Sequence, residues 1–64
     1  MATNTRLKAA RVGKGLTQLQ LAEMIGRKEI EISRYETGRA HPAPDTKRRI
    51  AELLETPAYE IFDC

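Results

Sequence analysis

Residues 16–36 read Leu-Thr-Gln-Leu-Gln-Leu-Ala-Glu-Met-Ile-Gly-Arg-Lys-Glu-Ile-Glu-Ile-Ser-Arg-Tyr-Glu, and this stretch constrains the chain more than any other. Thr17 is a suitable N-cap, because its hydroxyl can accept an otherwise orphaned backbone N–H of the first helical turn. Leu21, Ala22 and Ile25 then recur at helical spacing and form one apolar face. Gly26 supplies the left-handed conformation that ends a helix and turns the chain sharply. Ile32 and Tyr35, three residues apart, give the next segment its apolar side, and Gly38 stops it. Ala22 is small where the two helices should cross. Two short helices joined by a tight glycine turn can form an ordinary hairpin in a bundle. The same unit can also insert its second helix into a DNA major groove. Spacing alone leaves both readings open.

Gly15-Leu16-Thr17-Gln18, Leu21-Ala22, Gly26, Ile32-Ser33-Arg34-Tyr35-Glu36, Gly38, Pro42 and Ile50-Ala51 stand in an order and at intervals that resemble the Cro/C1-type helix-turn-helix family. That family includes phage repressors, Xre-like regulators and the controller proteins of restriction systems. The resemblance runs without a gap from about Leu7 to Phe62. It implies an all-α, compact five-helix repressor-like fold that binds double-stranded DNA as a homodimer and regulates transcription.

Length and composition fit a domain of that kind. Sixty-four residues are expected to make one domain over 1–64, and a chain this short buries only about 60% of the surface its unfolded form exposes. No apolar run approaches the roughly 20 residues that span a bilayer, and no secretory leader is visible. The lone Cys64 cannot form an internal disulfide, which suits a reducing cytoplasm. Net charge is only +2, but its distribution is uneven. Residues 1–28 hold six bases (Arg6, Lys8, Arg11, Lys14, Arg27, Lys28) against one acid, Glu23. Residues 50–64 hold four acids (Glu52, Glu55, Glu60, Asp63) and no base. Such a molecule should turn its basic end to a polyanion. No His/Cys cluster with metal spacing, catalytic triad order or glycine phosphate loop is present. The expectation is therefore no enzyme, no metal, no cofactor and no small-molecule effector.

Five helices are predicted. The first runs from about Asn4 to Lys14 with Leu7 and Ala10 inward, followed by the pair at 18–25 and 28–36. After a loop at 38–42, Pro44 and Asp45 open a fourth helix, in which Ile50, Ala51, Leu53 and Leu54 run inward to about Glu55. Thr56-Pro57 looks like a cap and first-turn proline opening a short fifth helix to Phe62.

The resemblance also implies roles for individual residues. Gln18 contacts a phosphate and braces the reading helix, with Thr17 beside it at a helix N-terminus that attracts anions. Arg39, with neighbouring backbone amides, and His41 lie in a loop along the DNA backbone. Arg27, Lys28, Glu29, Ile30, Ser33 and Arg34 complete the DNA-facing set. Arg11 and Glu36 match a partly buried salt bridge that ties the first helix to the third. Pro57, Tyr59, Ile61 and Phe62 match the contact between protomers.

Two departures from family habit are visible. A serine N-cap common in the family is replaced by Lys28, leaving the third helix poorly capped, although Glu29 and Glu31 complement its dipole. Those same carboxylates face a polyanion, at a cost of about 1–3 kcal/mol for a charge near 5 Å from a phosphate. Glu29 can still accept from cytosine N4, Ile30 can meet a thymine methyl, Arg34 can read guanine and Lys28 can pair with phosphate. Glu31 can alternatively occupy Arg34, three residues on. Lys47 stands where the family often has a buried Leu and suggests a solvent-facing turn. The acidic helix also fits a second reading of the same fold. In that reading it is a protein-interaction module, antitoxin-like or anti-repressor, whose acids meet a basic protein.

Overall fold

The computed structural model describes residues 3–62, so Asp63 and Cys64 lie outside the described residues. Five helices follow one another: α1 (Thr5–Gly13), α2 (Gln18–Ile25), α3 (Glu29–Thr37), α4 (Pro44–Leu54) and α5 (Ala58–Ile61). The described residues are all-helical. None of these helices is long and apolar enough to cross a membrane.

Local chemistry accounts for the helix ends. Asn4 caps α1 from outside, its side-chain oxygen accepting the Leu7 N–H at 3.0 Å. Thr17 and Gln20 form a reciprocal capping box on α2. The Thr17 hydroxyl accepts from Gln20 N at 3.0 Å, and the Gln20 amide oxygen accepts from Thr17 N at 2.8 Å. Gly26 (φ 71°) ends α2 while Arg27 N donates to Ala22 O, and Gly38 (φ 79°) ends α3 while Arg39 N donates to Arg34 O. Both are left-handed caps closed by a six-to-one hydrogen bond. As expected, Lys28 gives α3 no side-chain cap, and Glu29 and Glu31 occupy its first turn.

The fourth helix ends one residue early, because Glu55 adopts the same left-handed cap (φ 52°) with Thr56 N donating to Ala51 O. Glu55 is the one described non-glycine residue with positive φ. Thr56 serves α4 rather than α5, its hydroxyl donating to Leu54 O at 3.0 Å, and Pro57 precedes the first turn of α5 instead of opening it. Across the surface the Lys14 ammonium meets the Glu55 carboxylate at 2.5 Å. The hydrogen bond and charge of Lys14 hold the Glu55 carboxyl below its usual range. A depressed carboxylate pKa stabilises the fold above the unfolded value, and that contribution is lost as pH falls through the folded value. Glu55→Gly relieves the left-handed strain at every pH but gives up the ion pair only where Glu55 is ionised. The melting-temperature gain of Glu55→Gly over the wild type should therefore be larger near about pH 3 than at neutrality. A gain that is smaller at acid pH would contradict this account.

The core draws on every helix: Leu7; Leu21, Ala22 and Ile25; Ile32; Ile50, Ala51 and Leu54; Ile61 and the adjoining Phe62. Ala10, Leu16 and Tyr35 pack at its margin. Two expectations are corrected. Lys47 is half-buried on α4 with its ammonium 5.7 Å from the centre of the Phe62 ring, so it covers the core edge instead of facing solvent. Ile61 and Phe62 are buried within the chain's own core, at 1% and 7% exposure, and do not form a surface patch with Pro57 and Tyr59. A four-residue helix has one face to bury. Ile61 takes that face, which leaves Tyr59 74% exposed.

Candidate nucleic-acid interface

The positioning of α3 begins with the Glu36 carboxylate near its C-terminal end. Glu36 is 3% exposed and accepts from Arg11 Nε at 2.6 Å, from Arg11 Nη2 at 3.5 Å and from Gln18 Nε2 at 3.0 Å. Arg11, itself 7% exposed, also donates through Nη1 to Leu16 O at 2.6 Å. One buried carboxylate thus joins α1, α2 and α3, and its charge is met by a guanidinium and an amide. Gln18 braces the third helix by this route.

A second tie uses the backbone of the same residue. Asn4 N donates to Glu36 O at 2.8 Å while Asn4 Nδ2 donates to Ile61 O at 3.0 Å. Reading the sequence missed Asn4, placing it in the first helix and not ahead of it. It also missed Gln20, although Thr-x-x-Gln at 17–20 is a capping-box signature.

Opposite the core, α3 presents Lys28, Glu29, Ile30 and Arg34 to solvent, with Ile30 53% exposed, while Ser33 is half-buried. Glu31 does not occupy Arg34. It is half-buried, and its Oε2 lies 3.9 Å from Arg27 Nε, one helical turn earlier. That oxygen is out of solvent contact and accepts no hydrogen bond among the described residues. Arg34 forms no ion pair among the described residues. Of the two acids in the first turn, Glu31 is half-buried and set back beside Arg27, while Glu29 is exposed.

The flanks complete this surface. At the start of α2 the capping box engages the amides of Thr17 and Gln20, which leaves those of Gln18 and Leu19 directed out of the helix end. Thr17 is exposed there. Beyond α3, Arg39 and His41 are exposed in the loop, whereas Gly38 and Pro42 are buried. The backbone amides of Arg39 and Ala40 both turn back to Arg34 O, at 2.9 and 3.3 Å, so they do not point along the loop towards a phosphate. The amides of Arg39 and Ala40 are therefore taken by the end of α3, and Arg39 itself is exposed.

The basic N-terminal half is also less polarised than its composition suggests. Arg11 is committed to Glu36 and Lys14 to Glu55, and Arg27 lies 3.9 Å from Glu31. Among the described residues no three His, Cys, Asp or Glu side chains converge on a point where a metal could sit. Between α1 and α5 lies an open groove of about 650 Å³, lined by Arg6, Ala9 and Ala10 on one side and Tyr59 and Glu60 on the other.

A family profile described as helix-turn-helix matches residues 7–61, from the first turn of α1 to the end of α5. The chain belongs to the Cro/C1-type helix-turn-helix family. Among its relatives is the HTH-type transcriptional activator BcrR of Enterococcus faecalis, 33% identical over 62 residues. The match covers 97% of this chain and 30% of that protein, so the chain spans about a third of the relative's length. Within the helix-turn-helix family frame, α2 and α3 are the paired helices.

Proposed function

We propose that this chain binds operator DNA in a sequence-specific manner, with α3 in the major groove, and that it regulates transcription as a repressor by occupying that site as a homodimer. The observation that carries this reading is the outer face of α3. Arg34 stands there without an ion pair among the described residues, while the neighbouring acid Glu31 is set back beside Arg27. In this reading Arg34 addresses guanine O6/N7, Ile30 a thymine methyl, Glu29 a cytosine amino group, and Lys28, Arg39 and the start of α2 at Thr17 and Gln18 address phosphates. Arg27, Ser33 and His41 border the same surface, with Arg27 beside Glu31.

The dimer contact is placed at Pro57 and Tyr59, beside the α1–α5 groove. Two half-sites one turn apart put each reading helix about 17 Å from a two-fold axis, which a molecule with a longest extent of 25 Å can reach. Selection of bound sequences from random duplexes tests the whole reading. It should enrich inverted repeats with half-site centres about 10 base pairs apart. Enrichment of single half-sites would remove the homodimer, and no enrichment at low salt would remove the DNA-binding function.

One observation favours a second reading, in which the fold is a protein-interaction module. Ile30, half exposed beside the exposed Glu29, also suits a basic protein groove. Glu29→Gln separates the two. On DNA, it should tighten binding to non-specific duplex severalfold and narrow the ratio between operator and scrambled sequence, since one change removes both a repulsion and a base-specific acceptor. On a protein, it would weaken the complex and leave DNA binding negligible. Titrating both ligands by fluorescence anisotropy reads the difference.

A further inference from the structure

Asn4 lies on no DNA-facing surface, yet it is hydrogen-bonded to three helices at once. Its side-chain oxygen caps α1 at Leu7 N (3.0 Å), its backbone N–H donates to the Glu36 carbonyl in α3 (2.8 Å), and its side-chain N–H donates to the Ile61 carbonyl at the end of α5 (3.0 Å). The last two bonds matter most. They bring the end of the exposed helix and the end of α5 onto opposite sides of one asparagine.

Alone, α5 could not hold its place, because four residues are far below the length at which a helix is stable in water. Its fixed points are the buried Ile61 side chain, the adjoining Phe62 and the Asn4 bond to Ile61 O. Glu36, on the other side, is also the residue whose carboxylate gathers Arg11 and Gln18. A short hydrogen-bonded chain therefore runs from α5, next to exposed Tyr59, through Asn4 and Glu36 to the helix that carries Arg34.

We infer that Asn4 is a positioning residue that sets the angle between α5 and α3, and so determines which spacing of two half-sites the protein accepts. This inference rests on the dimeric operator reading given above. In a two-fold dimer held through α5, a small rotation of α3 relative to α5 is doubled between the two reading helices. One inserted base pair turns a half-site by roughly 35° about the duplex axis, so the protein can discriminate spacing only if that angle is held. The Asn4 amide N–H is the direct link between the two helix ends.

The amide chemistry allows the link to be cut without cutting the cap. Asn4→Asp keeps an oxygen for Leu7 N, and Asp caps as well as Asn, but it places a carboxylate oxygen where the N–H met Ile61 O. Asn4→Ser also keeps a cap acceptor and loses the link without adding charge. The test uses the full chain and three duplexes that share the same half-sites: one with the selected spacing, one with a base pair inserted at the centre and one with a base pair removed. A single half-site is the control.

The wild type should prefer the selected spacing by ~10-fold or more, while both variants bind the single half-site within about twofold of wild type and lose most of the spacing preference. In parallel, the Phe62 amide, which donates to Ala58 O, should exchange with solvent faster in both variants, and the Leu21 amide in α2 should not. A merely structural role would lower affinity for all three duplexes alike. Variants that discriminate spacing as sharply as the wild type would overturn the role of Asn4 alone. A wild type indifferent to spacing, or unable to bind duplex, would overturn the dimeric reading and this role with it. If Asn4→Asp does not fold, Asn4→Ser decides the question by the same two readouts.

Discussion

Arg11→Met is expected to remove about 3–5 kcal/mol of stability, because it leaves the Glu36 carboxylate buried without its cation. Natural domains are stable by only ~0.05–0.15 kcal/mol per residue, so for a chain of 64 residues that loss is a large share of the total. The direction follows from the geometry: Glu36 is 3% exposed, Arg11 7%, and the strongest bond between them is 2.6 Å. Glu36→Gln should also destabilise, by less, since Gln keeps the shape and one acceptor. The double variant Arg11→Met/Glu36→Gln should be more stable than Arg11→Met alone, because a neutral pair strands no charge. Urea titration of the four proteins as a double-mutant cycle measures the coupling. Neutral single variants with no coupling would mean that the network does not hold α3 in place.

Arg34→Ala carries the largest expected effect on binding, a loss of about 1–3 kcal/mol, or roughly 5- to 150-fold, with relaxed preference at one base position. Stability should barely change, because Arg34 is exposed and forms no ion pair among the described residues. Lys28→Ala should instead weaken all duplexes alike and lower the salt dependence, as expected for a phosphate contact. If Arg34→Ala and Lys28→Ala behave identically on operator and scrambled duplex, Arg34 does not read a base.

The helix spans and the hairpin turn were legible because they rest on local signals. Thr17, Gly26, Gly38 and Pro44 act within a few residues of themselves, and the apolar spacing 21, 22, 25 maps directly onto one face. What remained hidden depends on which of several feasible partners tertiary packing selects. Glu31 could meet Arg34 three residues later or Arg27 four residues earlier, and only the path of the turn before α3 brings Arg27 across to it. Ile61 and Phe62 are apolar whether they face a partner or their own core, and the shortness of α5 turned them inward. The charge of Lys47 signals a surface residue, whereas its apolar stem lets it cover the core edge beside Phe62. The left-handed turn at Glu55 carries no glycine to announce it. Asn4 was the hardest to see: a cap signal was present, but its bonds to Glu36 and Ile61 join residues far away in sequence.

Mapping amide chemical shifts of the ¹⁵N-labelled chain on addition of duplex DNA tests most directly whether α3 is the reading surface. The account predicts that the largest changes fall at Thr17 and Gln18, from Arg27 through Arg34, and at Arg39 and His41, while Glu52 and Glu55 on α4 and its end stay unmoved. Changes centred on α4, or no changes at low salt with any duplex, would contradict it.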